Sequence, residues 1–154
     1  MGPASMTRVS DALSGTSNLA FDTAPLIYFV ESNPSYVAVM REIFKLVDSG
    51  TVAAFTSVIT LLEVLVRPKQ AGRTDIEGQY RAILLHGRNL TLLPIGPIVA
   101  EIAADLRARF GIRTPDALQI AAAIDAGCDV FLTNDSVLQR VSRIKVIMLD
   151  NLTL

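Results

Sequence analysis

The segment TPDALQIAAAIDAGCDVFLTND, residues 114–135, decides the fold because it places a helix directly before a short apolar strand. Residues 114–116 combine a capping threonine, a proline at the first helical position and an acid in the first turn. The alanine-rich helix that they begin ends at Gly127. Residues 129–133 (DVFLT) then form a strand, and residues 134–136 form a turn. A helix joined so closely to an apolar strand is typical of parallel α/β sheets.

Short apolar strands and helices alternate along the rest of the chain as well. The predicted strands, one to five in chain order, cover residues 19–21, 52–55, 89–95, 129–133 and 145–149. The predicted helices cover residues 23–31, 35–49, 57–66 with a stop at Pro68, one or two segments within 69–88 with weak points at Gly72 and Gly78, 97–110 and 114–127. This alternation predicts a single α/β domain whose mostly parallel sheet is covered by helices on both faces.

The N-terminal residues lie outside this pattern. Residues 6–18 are polar, small and turn-rich, so we expect residues 1–18 to be a tail and residues 19–154 to be the folded domain. Residues 1–5 precede a second methionine, Met6, and we interpret them as an addition to the natural chain.

The composition excludes several classes of protein. The chain has 154 residues, 51% of them hydrophobic and 19% charged, which fits one domain with a substantial core and excludes disorder. A single cysteine excludes an internal disulfide, favours a reducing compartment and, with a single histidine, excludes a His/Cys zinc site. Without a long apolar run or a signal peptide, the chain is expected to be cytoplasmic and to avoid membranes.

Acidic residues occur where a parallel sheet gathers its functional groups, beyond the carboxyl ends of its strands. Asp22 directly follows the first predicted strand and Asp135 follows the fourth, whereas Glu63 and Asp116 lie on helices. Carboxylates that converge repel one another when they lose water, unless an oxygen-binding divalent cation holds them together. We therefore predict a site for Mg²⁺ or Mn²⁺ formed by these four acids.

Each of these acids also has a purely structural interpretation. Asp22, Asp116 and Asp135 stand near helix starts, where a carboxylate caps the helix or interacts favourably with its dipole. Glu63 stands four residues before Arg67 on one helical stripe and could form an exposed pair with it.

Other polar residues favour structural roles. A nucleophilic pair of Cys128 and His86 lacks any supporting motif, since the first is a small residue before a strand and the second lies near a helix end. Asp125 and Asp129 flank Gly127 and could join the acidic group, although a helix end and a strand start usually face away from such a site.

Four short motifs appear in the order FDT (21–23), TSVITLLEV (56–64), TPDALQIAAA (114–123) and LTND (132–135). With these motifs and the closing strand at 145–149, the sequence resembles the PIN-domain nucleases over about residues 19–150. The resemblance is closest to the VapC-type ribonuclease toxins of bacterial type II toxin–antitoxin systems, and residues 114–135 are its most specific part.

The resemblance implies a three-layer α/β/α fold with a five-stranded sheet in the order 3-2-1-4-5, which sets strands one and four side by side. It also implies that Asp22, Asp116 and Asp135 are the main ligands of one or two Mg²⁺ or Mn²⁺ ions used to hydrolyse RNA phosphodiester bonds. Glu63 would orient water or assist proton transfer. The supporting residues, which would tune the pocket through hydrogen bonds, are Thr23, Thr133 and Asn134.

The same resemblance implies protein partners, namely a cognate antitoxin and a second copy of the chain in a homodimer. Residues 28–30 and 36–40 supply more apolar surface than two short helices need. We interpret this surface as core, with a groove for the antitoxin as the alternative.

Three other functions remain open at this point. The chain could be a PIN-like RNA-processing nuclease outside a toxin system, or a PIN-like interaction module with a dormant pocket. It could also be an aspartate-based phosphotransfer protein. That function needs a lysine near the end of a late strand, whereas Lys145 begins one.

The net charge of −1 taken alone argues weakly against nucleic-acid binding. The positions of the charged residues along the chain remove this argument. Without the four site acids, 11 acidic residues face 14 basic ones. Eight basic residues lie at positions 67, 69, 73, 81, 88, 107, 109 and 113, against four acids at 75, 77, 101 and 105. This excess is compatible with RNA as the substrate.

Overall fold

The computed structural model describes residues 5–154, and a five-stranded parallel sheet forms its centre. The strands in chain order are β1 (Thr7–Arg8), β2 (Asn18–Phe21), β3 (Ala53–Ser57), β4 (Leu90–Leu93), β5 (Val130–Thr133), β6 (Lys145–Met148) and β7 (Leu152–Thr153). The central sheet has the order β4-β3-β2-β5-β6, and every pair in it is parallel. Strands β2 to β6 are the five predicted strands, so the predicted order 3-2-1-4-5 is confirmed.

Helices cover both faces of this sheet. Within the described residues they are α1 (Val9–Ala12), α2 (Thr23–Val30), α3 (Val37–Asp48), α4 (Val58–Ala71), α5 (Thr74–His86), α6 (Pro97–Phe110) and α7 (Thr114–Asp125). Helices α2 to α5 supply buried residues to one hydrophobic cluster, and α6 and α7 supply them to a second. Strand β2 lies between the two, because Leu19 and Phe21 belong to the first cluster and Ala20 to the second. The predicted three-layer α/β/α architecture is therefore confirmed.

No helix within residues 5–154 is both long and apolar enough to cross a membrane.

Aromatic side chains in and around α2 and α3 are partly or fully buried in contact with the first hydrophobic cluster. Phe44 stacks on Phe21 at a centroid distance of 5.5 Å and on Phe29 at 4.1 Å. Tyr28 stacks on Tyr36 at 4.4 Å. These contacts favour the interpretation of this apolar surface as core rather than as a groove for a partner.

Helix α4 is longer than predicted, because it continues through Pro68 to Ala71. The proline has no N–H and so removes the helical bond to the Val64 carbonyl. Pro68 is nevertheless buried, and the helix ends at Gly72, whose left-handed backbone (φ 66°) makes a favourable C-cap. Burial and capping outweigh the lost bond, so the prediction that Pro68 stops the helix is wrong.

The prediction of one or two helical segments within residues 69–88 is confirmed by α5, whereas the predicted start of α7 differs from the structure. Gly78 does not interrupt α5, since the buried side chains of Glu77 and Tyr80 hold the helix on either side of it. Thr114 is the first residue of α7 rather than its cap. The cap is Arg113, whose carbonyl accepts the first helical bond from the Ala117 N–H at 2.9 Å.

Residues 7–13 belong to the folded domain, which contradicts their prediction as part of a tail. Strand β1 pairs in parallel with β7, and Val9 and Leu13 are buried in the first hydrophobic cluster. The overlooked signal is the helical spacing of these two apolar residues among small polar ones. Of the predicted addition at residues 1–5, residues 1–4 lie outside the described part of the chain.

Replacing Leu13 by alanine tests whether this N-terminal segment stabilises the domain. Leu13 is 4% exposed, so Leu13→Ala should lower the free energy of unfolding by about 2–3 kcal/mol, measured by chemical denaturation. The exposed neighbour substitution Ser10→Ala is the control and should change it by less than about 0.5 kcal/mol. Equal, small effects of the two substitutions would mean that the segment behaves as a tail.

Candidate active site

The ends of the two central strands bring Asp22 and Asp135 to the same edge of the sheet. Strands β2 and β5 pair in parallel, and the Asp22 N–H continues the ladder by donating to the Leu132 carbonyl at 2.9 Å. Thr133, the last residue of β5, donates its hydroxyl proton to Asp22 Oδ2 at 2.7 Å. The same hydroxyl oxygen accepts a bond from the Asp135 N–H at 3.0 Å. Thr133 therefore links the two acids.

Helix α4 brings Glu63 to the same place through a second threonine. Thr23 donates its hydroxyl proton to Glu63 Oε1 at 2.8 Å. Its backbone N–H donates to Asp22 Oδ1, also at 2.8 Å, so that Asp22 caps helix α2. Glu63 forms no ion pair with Arg67 in the described part of the chain. Glu63 is thus tied to Asp22 by one residue rather than paired along its own helix.

Asp116, in the first turn of α7, is coupled electrostatically to the other three acids. The pKa of Asp116 is raised to about 6, and burial is the largest cause. The negative charges of Asp22 and Asp135 are the next largest causes of this rise in pKa. Glu63 adds a smaller increment to the pKa, against the opposing positive charge of Arg113. Asp116 is therefore close enough to Asp22, Asp135 and Glu63 for their charges to affect its pKa.

Asp22 shows the same coupling from the centre of the group. Burial raises the pKa of Asp22 above its ordinary value of 3.8. The bonds donated by Thr133 and by the Thr23 N–H lower that pKa, while the charges of Glu63 and Asp135 raise it. Carboxylates from four separate elements thus form one acidic cluster, which we call the acid cluster.

The acid cluster has the donor chemistry of a site for a hard divalent cation. Its donors are carboxylate oxygens, which Mg²⁺ and Mn²⁺ prefer. Within residues 5–154, however, no three Asp, Glu, His or Cys side chains lie close enough together to form a complete metal site. A cation held by all of these acids would have to draw them together, and its charge would offset their mutual repulsion.

Sequence reasoning missed Gln119, a residue of α7 that is 3% exposed and supports the acid cluster. Its Nε2 donates to Thr23 Oγ1 at 3.0 Å and to Thr60 Oγ1 at 2.8 Å, while its Oε1 accepts a bond from Ser57 Oγ. Both amide protons and the amide oxygen are therefore used. Because Thr23 Oγ1 accepts from the amide, its own proton is free for Glu63. Gln119 thus helps to hold in place the Thr23 hydroxyl that donates to Glu63.

The hydroxyl groups around Gln119 form a fully bonded buried network. Thr56 lies within hydrogen-bond distance of the Phe21 carbonyl (2.9 Å) and of Thr60 Oγ1 (2.8 Å). In the described residues, no buried side-chain nitrogen or oxygen lacks a partner. The sequence does contain a signal for the role of Gln119. Its amide lies in a run of small apolar residues, three positions after Asp116 and therefore on the same side of the helix.

The remaining candidate residues lie elsewhere or have other partners. Asn134, expected to tune the pocket, accepts a bond from the Asp150 N–H at 2.9 Å. Asp129 accepts bonds from two N–H groups at the start of β2, the edge opposite the acid cluster. Burial, with a smaller contribution from Asp129, raises the pKa of Cys128 to about 12, which suppresses the thiolate that a nucleophile needs. His86 is exposed at the end of α5.

Replacing Gln119 tests the supporting network. Gln119→Ala leaves Thr23, Thr60 and Ser57 short of partners, so the free energy of unfolding should fall by about 2–4 kcal/mol in chemical denaturation. The exposed helical Gln79→Ala is the matched control and should stay within about 0.5 kcal/mol of wild type. Similar losses in both variants would contradict a special role for Gln119.

Replacing Asp116 tests the repulsion within the acid cluster. Its pKa in the folded protein, about 6, exceeds the ordinary 3.8, so folding takes up a proton between these values and stability falls as pH rises through them. Without added metal, Asp116→Asn should therefore raise the melting temperature at neutral pH by about 2–4 °C. The gain should shrink as pH falls from 6 towards 4 and should disappear well below the unfolded pKa of 3.8, where the carboxyl of Asp116 is protonated in the folded and the unfolded state.

The exposed Glu101→Gln on α6 is the control for this comparison, because Glu101 forms no ion pair in the described residues. It should leave the pH dependence of the melting temperature unchanged. An Asp116→Asn protein that is less stable than wild type at neutral pH would show that this carboxylate is not repelled by its neighbours.

Comparison with known proteins identifies the family. The profile of the PIN domain family matches residues 19–144, a range that contains all four acids. Among solved structures, the fold is similar to VapBC2 from Rickettsia felis bound to a DNA fragment from its promoter. That chain is 15% identical, with a TM-score of 0.68, and the match covers 85% of this chain and 98% of that one.

Two further solved structures have similar folds. DNA-bound VapBC from Salmonella typhimurium is 21% identical with a TM-score of 0.63, over 86% of this chain and 98% of that one. A toxin–antitoxin complex from Klebsiella pneumoniae is 21% identical with a TM-score of 0.63, over 85% and 97%. No curated protein matches the sequence significantly. The profile match spans most of the chain and agrees with the sheet order and the placement of the acids, and the chain belongs to the PIN domain family.

Proposed function

We propose that the protein is a metal-dependent endoribonuclease that acts as the toxin of a toxin–antitoxin pair. The observation that carries this proposal is the electrostatic coupling of Asp22, Glu63, Asp116 and Asp135 at one edge of the sheet. Structural ion pairs perturb single carboxylates, but coupled acids without neutralising partners are typical of functional sites. In a PIN domain, such a cluster supports phosphodiester hydrolysis.

Asp22, Asp116 and Asp135 would hold Mg²⁺ or Mn²⁺, and Glu63 would complete the site. The cation would supply Lewis-acid stabilisation of the phosphodiester and would make water a stronger nucleophile at neutral pH. The chain's own residues orient the acids. Thr133 and the Thr23 N–H each donate to a different oxygen of Asp22 and so fix the plane of that carboxylate.

Glu63 is oriented for a role in water positioning or proton transfer. The Thr23 hydroxyl donates to Glu63 Oε1, and the residue itself is exposed, which leaves the other carboxylate oxygen for water or substrate. Glu63 belongs to α4 and Asp116 to α7, so the two acids reach the edge of the sheet from different helices.

Basic residues support RNA as the substrate, although fewer are free than the sequence count indicates. Salt bridges occupy Lys69, Arg73, Arg81 and Arg109 within residues 67–113. In the described residues, no salt bridge involves Arg67, Arg88, Arg107 or Arg113. Arg113 lies within electrostatic reach of Asp116, where its guanidinium could contact an RNA phosphate beside the acid cluster.

The toxin role and an antitoxin partner are supported by the structural neighbours, several of which are toxin–antitoxin complexes. We expect a cognate antitoxin to bind this chain and block access of RNA to the acid cluster. A homodimer is likewise part of the proposal.

Phosphotransfer through an aspartate receives no support from the geometry. Such a site would place a lysine beside the acid, whereas Lys145 pairs with Val130 at the start of β6, and the acid cluster lies at the opposite end of the strands. Asp22 itself accepts two hydrogen bonds, from Thr133 and from Thr23, which reduce its nucleophilicity.

Cleavage of single-stranded RNA in Mg²⁺ or Mn²⁺ tests the proposed activity. Asp22→Asn and Asp116→Asn should each lower the cleavage rate by at least about 100-fold, because each removes a charged ligand. Asn retains the capping ability of Asp22, so loss of folding is not expected. The control Glu101→Gln should cleave like wild type.

Equal cleavage by wild type, Asp22→Asn and Asp116→Asn would show that the activity does not come from the acid cluster. If wild type cleaves no RNA with either metal, the proposal is wrong and the chain is better described as an interaction module with a dormant pocket.

A further inference from the structure

A cavity of about 510 Å³ adjoins the acid cluster between helices α2, α4 and α5. Its volume falls within the ~300–1,000 Å³ that is typical of sites for small organic groups. Thr23 and Glu63 line this cavity and also belong to the acid cluster and its supporting bonds. A group bound in the cavity would therefore be in contact with the same Glu63 that takes part in the proposed hydrolysis.

The walls of the cavity are apolar, and a polar group lies at its rim. Ile27, Val64, Val66 and Ile76 supply aliphatic surface from three helices. Arg67 lies beside them on α4, one helical turn after Glu63. A flat aromatic group would find both van der Waals contact and a guanidinium plane for stacking here.

Arg67 differs from Arg73, the other basic residue that lines the cavity, because it has no ionic partner in the described residues. Arg73 is bonded to both oxygens of Asp75 at 3.0 and 2.9 Å, and Glu31 accepts a bond from the Tyr80 hydroxyl. Within residues 5–154, Arg67 forms no ion pair. Its charge is therefore available to a phosphate or to the face of a base.

We propose that this cavity binds the unpaired base of the nucleotide adjacent to the scissile phosphate, with Arg67 stacking on that base or contacting the neighbouring phosphate. The inference rests on the proposed function, because the acid cluster places the scissile phosphate. A base is joined to its phosphate through one ribose, so a cavity that shares Glu63 with the cluster is within reach of the adjacent base. A base within a duplex cannot enter it, and the substrate is therefore single-stranded or looped RNA.

A chain of nucleotides fits these observations better than a peptide does. The cavity shares Thr23 and Glu63 with the acid cluster and its supporting bonds, and Arg67 is its one cation without an ion pair in the described residues. A peptide that inserted an apolar side chain would leave Arg67 without a partner. Binding of a peptide is therefore the alternative outcome that the experiment must detect.

The test uses two substitutions that leave the acid cluster intact. Ala71→Trp fills the cavity from the exposed last residue of α4, and Arg67→Gln removes its cation. The matched controls are Ala82→Trp on α5 and Arg41→Gln on α3, which are exposed and do not line the cavity. The substrates are a short single-stranded RNA of mixed sequence and the same RNA with an abasic ribose on either side of the cut.

In wild type, removal of the base on one side of the cut should lower kcat/KM about 10-fold, the typical effect of one lost base–side-chain stack. Ala71→Trp should cleave intact RNA about 10-fold more slowly than wild type and should be insensitive to the abasic ribose. The controls should behave like wild type. If wild type is insensitive to abasic sites on both sides, or if Ala71→Trp cleaves like wild type, the inference is wrong.

A binding measurement separates this inference from the proposed function. In the Asp22→Asn background, fluorescence anisotropy with labelled single-stranded RNA reports binding without cleavage. Arg67→Gln should weaken binding and reduce the slope of log K against log salt by about 1, whereas Arg41→Gln should not.

If RNA binds in this Arg67-dependent way but no protein cleaves it, the proposed function fails and the cavity assignment stands. If cleavage depends on the acids but neither Arg67→Gln nor Ala71→Trp affects it, only the cavity assignment fails. An Ala71→Trp protein that loses binding of its antitoxin but not of RNA would reassign the cavity to a peptide.

Discussion

The hydrogen bond from Thr133 to Asp22 joins the two central strands at the point where both end, and the arrangement of the candidate site depends on it. Parallel pairing of β2 with β5 sets these residues side by side. The threonine hydroxyl then holds one acid directly and the other through its backbone N–H. Helices α4 and α7 need only be packed on opposite faces of the sheet to bring Glu63 and Asp116 to the same edge.

Concentrating carboxylates at this edge costs stability, and the buried polar network limits that cost. Burial and like charge raise the pKa of Asp22 and of Asp116. The repulsion is tolerated because donors are fixed around the acids: Thr133 and Thr23 donate to them, and Gln119 orients Thr23. A binding site with strained electrostatics and a rigid supporting shell is a common compromise between stability and activity.

Most of the helices could be predicted from sequence because they depend on local apolar periodicity. The sheet order was implied by the resemblance to PIN domains, which rests on motifs such as residues 114–135. The burial of Val9 and Leu13 could not be predicted, because it depends on the pairing of β1 with β7, which lies at the other end of the chain. Pro68 was misjudged because tertiary burial outweighed a local rule. Gln119 was missed because its partners come from α2, β3 and α4, which only the fold brings together.

Calorimetric titration with Mn²⁺ tests most directly whether the acid cluster is a metal site. Wild type should show saturable binding, and Asp116→Asn should lose it even though this variant is expected to be the more stable protein in the absence of metal. The control Glu101→Gln should bind as wild type does. Saturable binding of equal strength in wild type and Asp116→Asn, or none in wild type, would contradict the account.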